Sequence, residues 1–158
     1  MKPRFLAAIA LSAVALATQG RAQCPFTVQF STSGSACTQS GALPPTLTGS
    51  YSNVPGGCSV SFALAIPPFC CNTFVQGRFL VLGGLSVSIP VPGGCDLLVF
   101  PDLIVGLPAA NPSVTFPLPP DPALVGVLVF GQGVVVRFTT IGFTTDFDFS
   151  SRLHVQFL

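Results

Sequence analysis

Beyond residue 23 the apolar positions fall in short runs of Val, Phe, Leu and Ile interleaved with Ser and Thr, and Pro or Gly closes each run. Nowhere in that region do they recur at the three-to-four-residue spacing of an amphipathic helix. The pattern is that of strands and turns in an all-β chain. It predicts strands at 26–30, 59–66, 73–82, 85–91, 96–100, 113–118, 127–130, 134–141 and 152–158. LHVQFL (153–158) alternates cleanly, with one face for a core and one for solvent. DLLVF (96–100) and VLVF (127–130) are apolar on both faces and belong in covered positions. Strands at this spacing imply a single antiparallel β-sandwich or jelly-roll-like domain.

The punctuation between runs has its own chemistry. VPGGC occurs at 54–58 and again at 91–95. Proline then glycine suits a type II turn, where glycine takes positive φ at little cost. Both copies read as one turn chemistry that leads into a cysteine-stapled strand. In LPPDPALVGVLVFGQGVVVRF (118–138), Asp121 and Pro122 are fit to cap and open a single helical turn, and Gly126 is fit to end it. Gly131-Gln132-Gly133 is expected to break or bulge the sheet between two buried strands.

Composition adds a compartment. Lys2 and Arg4 precede an unbroken run of small and apolar residues, Phe5 to Ala17, and Gly20-Arg21-Ala22 offers small residues where a signal peptidase reads. The run is 13 residues, short of the about 20 that span a bilayer. A lipoprotein leader is disfavoured, because Arg21-Ala22-Gln23 before Cys24 is no lipobox. Residues 1–22 therefore read as a cleaved signal peptide and 23–158 as a secreted domain. No transmembrane helix is expected in the mature chain: the apolar part of 118–138 is only 15 residues and is broken by Gly126, Gly131, Gln132 and Gly133.

Cleavage would remove Lys2, Arg4 and Arg21. Three arginines then face five aspartates, a net charge of −2 with no lysine and no glutamate. That balance argues against nucleic acid and anionic lipid surfaces as partners, since both demand a basic patch. Six cysteines (Cys24, Cys37, Cys58, Cys70, Cys71, Cys95) beside a leader read as disulfides. Cys71 with Cys95 is the first expected pair. A vicinal Cys70–Cys71 bridge would be strained, so different partners are expected for these two.

Catalytic chemistry is sparse, and no cofactor is implied. His154 is the only histidine and is expected to point to solvent from LHVQF. No G-x-S-x-G elbow, H-E-x-x-H pair or phosphate-cradling loop occurs. Asp146 and Asp148, in TTDFDFSS, would share one face of a strand about 7 Å apart. They form a weak calcium or paired-carboxylate candidate, set against the plainer reading of a solvated strand face. Sugar-stacking platforms favour Trp and Tyr; the chain has no Trp, one Tyr and mostly Phe.

The order PGGC-DLLVFPD, FPLPP, then DPALVG with a valine-rich strand and Gln132 resembles uncharacterised secreted β-rich modules of planctomycete-type bacteria. The resemblance runs over residues 41 to 158. Gly133 and Ser150-Ser151-Arg152 stand where those modules carry an aromatic residue and a Ser-Asn-Gly-like turn. The resemblance implies an exported, surface-associated β module and brings no catalytic residues with it. The expected function is a non-enzymatic structural, adhesive or self-assembling role at the cell surface or outside the cell, with itself or other envelope proteins as partners. A polysaccharide-binding module is the alternative, and a hydrolase using Asp146, Asp148 or His154 the third.

Overall fold

The computed structural model describes residues 24–55, 57–69 and 72–158. The expected leader, and with it the cleavage site, lies outside the described residues, as do Cys70 and Cys71. Twelve strands occur among the described residues: β1 (Val28–Ser33), β2 (Cys37–Thr38), β3 (Thr46–Val54), β4 (Gly57–Ala65), β5 (Thr73–Gly83), β6 (Ser86–Val91), β7 (Cys95–Val99), β8 (Leu103–Gly106), β9 (Ser113–Leu118), β10 (Leu128–Thr139), β11 (Thr144–Phe149) and β12 (Arg152–Phe157). All pairings are antiparallel.

The strands form a sandwich with an extra outer flap. The main sheet has seven strands and β10 at its centre, with β11 and β12 along one side and β5, then β8, on the other. A three-stranded sheet, β3-β4-β9, covers one face of the main sheet. Their shared core joins Leu47, Phe62 and Leu64 to Leu80, Leu82, Val135 and Val155. The β6–β7 hairpin lies on the opposite face, where Val99 and Cys95 pack on Val81, Val134 and Phe149. β10 is therefore covered on both faces from Phe130 to Val135, the middle of its apolar run.

Two irregularities bend the main sheet. β11 and β12 pair successively with the same side of β10, and the register slips by one residue at Ser150-Ser151, between Val134↔Phe149 and Gly131↔Leu153. On the other side, Val136 is opposite Gly77 and Arg137 is opposite Val75, so Gln76 is bulged out. Such a bulge flips which side chains face the core. Leu80 and Leu82 reach the core from even positions, and Val75 does so from an odd one.

The Gly131-Gln132-Gly133 segment does not break the chain into two strands as expected. It is the middle of a single 12-residue strand, kept continuous by pairing to β5 and β12. The glycines serve packing. A Cβ on Gly133 would fall 2.2 Å from Leu64 Cδ1. Gln132, on the opposite face, is fully buried; it accepts from the Leu98 N–H (2.7 Å) and donates to the Ser150 carbonyl (2.9 Å), tying the hairpin to the main sheet.

The turn expectations have direct counterparts. Pro122–Leu124 is one turn of 3-10 helix, with the Asp121 carboxylate accepting from the Ala123 N–H (2.8 Å) and Gly126 at φ +87°. The second VPGGC closes the β6–β7 hairpin, with Gly93 at φ +100° and the Gly94 N–H donating to the Val91 carbonyl (3.2 Å). The first closes β3–β4 across Val54↔Gly57.

The expected Cys71–Cys95 pair is replaced. Cys95 bonds Cys37, and Cys24 bonds Cys58, with Cα separations of 5.6 and 6.1 Å. The reason is topological: β2 pairs with β11 under the hairpin that carries Cys95. The solvent side of the three-stranded sheet carries rows of small hydroxyls. Ser50, Ser61 and Thr115 stand in register across all three strands, and Ser52 is opposite Ser59.

Candidate functional site

Two regions stand out: a buried ion pair beside a cavity, and a part of the main sheet that no other described residues cover. Arg137 is the lone cation in the valine run of β10, and it points to the same side as Val135, towards the three-stranded sheet. There its Nε lies 2.5 Å from Asp148 Oδ2, with both side chains at 0% exposure. Asp148 is thus not on a solvated face. The 38–40 segment wraps its carboxylate: Thr38 Oγ1 (2.7 Å) and the Gln39 N–H (3.1 Å) donate to Oδ1, and Ser40 Oγ (2.9 Å) donates to Oδ2. A carboxylate so surrounded is neutralised by protein donors. Among the described residues no group of three or more His, Cys, Asp and Glu is arranged to hold a metal ion. Asp146 shares the face, as expected from the alternation, and stands opposite Arg137 across the ladder.

The remaining edge of the guanidinium is less well served. Nη1 and Nη2 are fully buried and have no hydrogen-bond partner among the described residues. The Phe69 ring covers one face, its centroid 4.7 Å from Arg137 Cζ. Arg137 lines a cavity of about 250 Å³ together with Ser40, Ala42, Pro68, Phe69 and Thr73. Sequence reading passed over Arg137. The available signal was a single arginine inside an otherwise apolar buried strand, a position that demands a partner.

His154 departs from expectation. It is half-buried, with Nε2 2.5 Å from Ser33 Oγ and 3.3 Å from Arg152 Nε, and its ring edge meets Phe130 at 5.1 Å between centroids. Burial first, and then the Arg152 charge, lower its pKa from the ordinary histidine value. Arg152 also donates to Ser33 Oγ (2.8 Å), to Ser86 Oγ and to the Leu98 carbonyl (3.4 Å). The pair thus has a serine and a histidine in contact, but the third partner is a guanidinium. A cation makes the imidazole a poorer base, the opposite of what a carboxylate does in a nucleophilic triad.

The second region is the outer face of the main sheet. The β6–β7 hairpin covers only part of it. Beyond the hairpin, Phe79, Ile104, Val136 and Phe147 line an open groove of about 360 Å³ whose nine lining residues are all apolar. The apolar surface continues along β10 to Phe138, directly opposite Phe74, and to Phe143 in the turn. Phe143 is 81% exposed and Phe74 59%. β8, the edge strand beside the groove, is short and mostly exposed, with Ile104 at 59%. Among the described residues no helix is long and apolar enough to cross a membrane.

No family model, curated protein or solved structure matches the chain.

Proposed function

We propose that this chain is an exported, non-enzymatic β-sandwich that works by associating with further copies of itself at the cell surface or outside the cell. The observation that carries the reading is the uncovered apolar face of the main sheet, where Phe74, Phe138, Phe147 and Ile104 lie outside the cover of the β6–β7 hairpin. Contiguous exposed apolar surface of this kind marks interaction sites. A second copy suits it for two reasons. The face adjoins the open edge of β8, which has no lysine or inward charge to discourage strand pairing. The small net charge of the exported part gives little repulsion between copies. Two-fold pairing of β8 with its counterpart would extend the main sheet and join both apolar faces side by side into one continuous surface. Export is supported by the leader-like first 22 residues and by the two disulfides.

Sedimentation velocity over a concentration series is the test, comparing the natural chain with Ile104→Lys. Self-association that the lysine abolishes is the expected result. A natural chain that stays monomeric at high concentration would overturn the reading. A pull-down on insoluble glycans then addresses the polysaccharide-binding alternative.

A further inference from the structure

We propose that the Arg137 cavity is a receptor for a small monocarboxylate, distinct from the apolar association face. The Nε edge of Arg137 faces Asp148, while Nη1 and Nη2 are equally buried and unpartnered among the described residues. Leaving charged donors dry and unmatched is costly, and these two belong to a side chain that lines a cavity. At about 250 Å³ the cavity falls just under the roughly 300 Å³ at which small-molecule sites begin.

The walls select the ligand class. Two parallel N–H groups on a planar fork match the two oxygens of a carboxylate. Phe69 lies over one face of the guanidinium, while Nη1 and Nη2 stay buried in the wall that Arg137 gives to the cavity. Ala42, Pro68 and Phe69 offer apolar contact for a short hydrocarbon body, and the Ser40 and Thr73 side chains add hydroxyls. Asp148 already offsets the charge of Arg137. A dianion such as phosphate would bring a second charge with nothing to compensate its desolvation. Asp146, opposite Arg137 on the same face, repels anions, so its removal should tighten binding.

The test is an amide-resonance titration of the oxidised chain with acetate, and with acetamide as the neutral isostere. Saturable shifts at Gly41, Ala42 and Thr73 are expected, with an acetate dissociation constant on the order of 1 mM and a several-fold weaker response to acetamide. Ala42→Leu fills the cavity without touching the ion pair and should abolish the response. Asp146→Asn should strengthen it several-fold. The paired change Arg137→Met with Asp148→Asn removes both charges together and should abolish binding in a folded chain. Resonances unmoved by acetate, a response that survives Ala42→Leu, or acetamide binding as tightly as acetate would each overturn the assignment.

Discussion

Ser150 satisfies both backbone groups of Gly133: its N–H donates to the Gly133 carbonyl (2.9 Å), and its hydroxyl accepts from the Gly133 N–H (2.8 Å). The same hydroxyl donates to the Ser151 carbonyl (2.7 Å). This one residue bridges the point where β11 hands over to β12. Ser150→Ala would leave a buried N–H without an acceptor, at a cost of about 1–3 kcal/mol. Urea unfolding should show that loss as a lower midpoint with an unchanged slope. A midpoint equal to that of the natural chain would mean that the register slip is held elsewhere.

Gly133→Ala tests the packing role of the central glycines. The added methyl meets Leu64 Cδ1 at 2.2 Å inside the core, so Leu64 or the sheet must move, costing about 1–3 kcal/mol. Gly106→Ala is the control, because a Cβ there meets nothing within 4 Å. Thermal unfolding should separate the two by several degrees. Gly133→Ala combined with Leu64→Ala should lose less than the sum of the single changes, since each relieves the other's misfit.

The Arg137–Asp148 pair should behave as a coupled unit. Arg137→Ala or Asp148→Ala alone strands a buried charge and should cost about 3–5 kcal/mol. Arg137→Met with Asp148→Leu removes both charges and keeps volume, so it should cost far less than the two single changes together. Denaturant midpoints for the four proteins measure this coupling. Additive losses would show that the two side chains do not act together.

His154 makes stability depend on acidity. Its folded pKa lies below the ordinary value because burial and Arg152 disfavour the imidazolium. Below about pH 6.5 the unfolded chain therefore takes up a proton that the folded chain declines. This contribution to stability is whole above that point and is lost as pH falls through the lowered folded pKa. Unfolding midpoints should drop as pH falls below about 6.5, and His154→Gln should remove the part due to this side chain. Equal pH dependence in both proteins would assign the effect to other groups.

What the sequence disclosed were features that are local by nature. Asp121 and Pro122 cap their own turn, Gly93 supplies its own positive φ, and the β10 run announced burial on both faces. What it hid depended on distant partners. The Gly-Gln-Gly segment looks like a break until Leu64, nearly 70 residues away in the chain, is placed against Gly133. β3 escaped notice because few of its inward positions are large, Gly49 between Leu47 and Tyr51 among them. β8 escaped because it is a four-residue edge with little buried surface to pattern it. Asp148 alternates with phenylalanine whether the carboxylate meets water or arginine, so alternation alone could not find the ion pair. Cysteine pairing was equally remote, set by which strands lie under the β6–β7 hairpin.

The hydroxyl rows on the outside of the three-stranded sheet have an environmental consequence. Ser50, Ser61 and Thr115 carry no charge, and nothing in them titrates between acid and mildly alkaline conditions. Water held by such groups is indifferent to counter-ions, which weaken charge-based repulsion. That face therefore keeps the same wetted character in dilute and in concentrated brine, and through swings of acidity that would recharge a lysine- and glutamate-covered surface. Whatever the open apolar face does, the opposite side of the molecule offers a medium-independent coat.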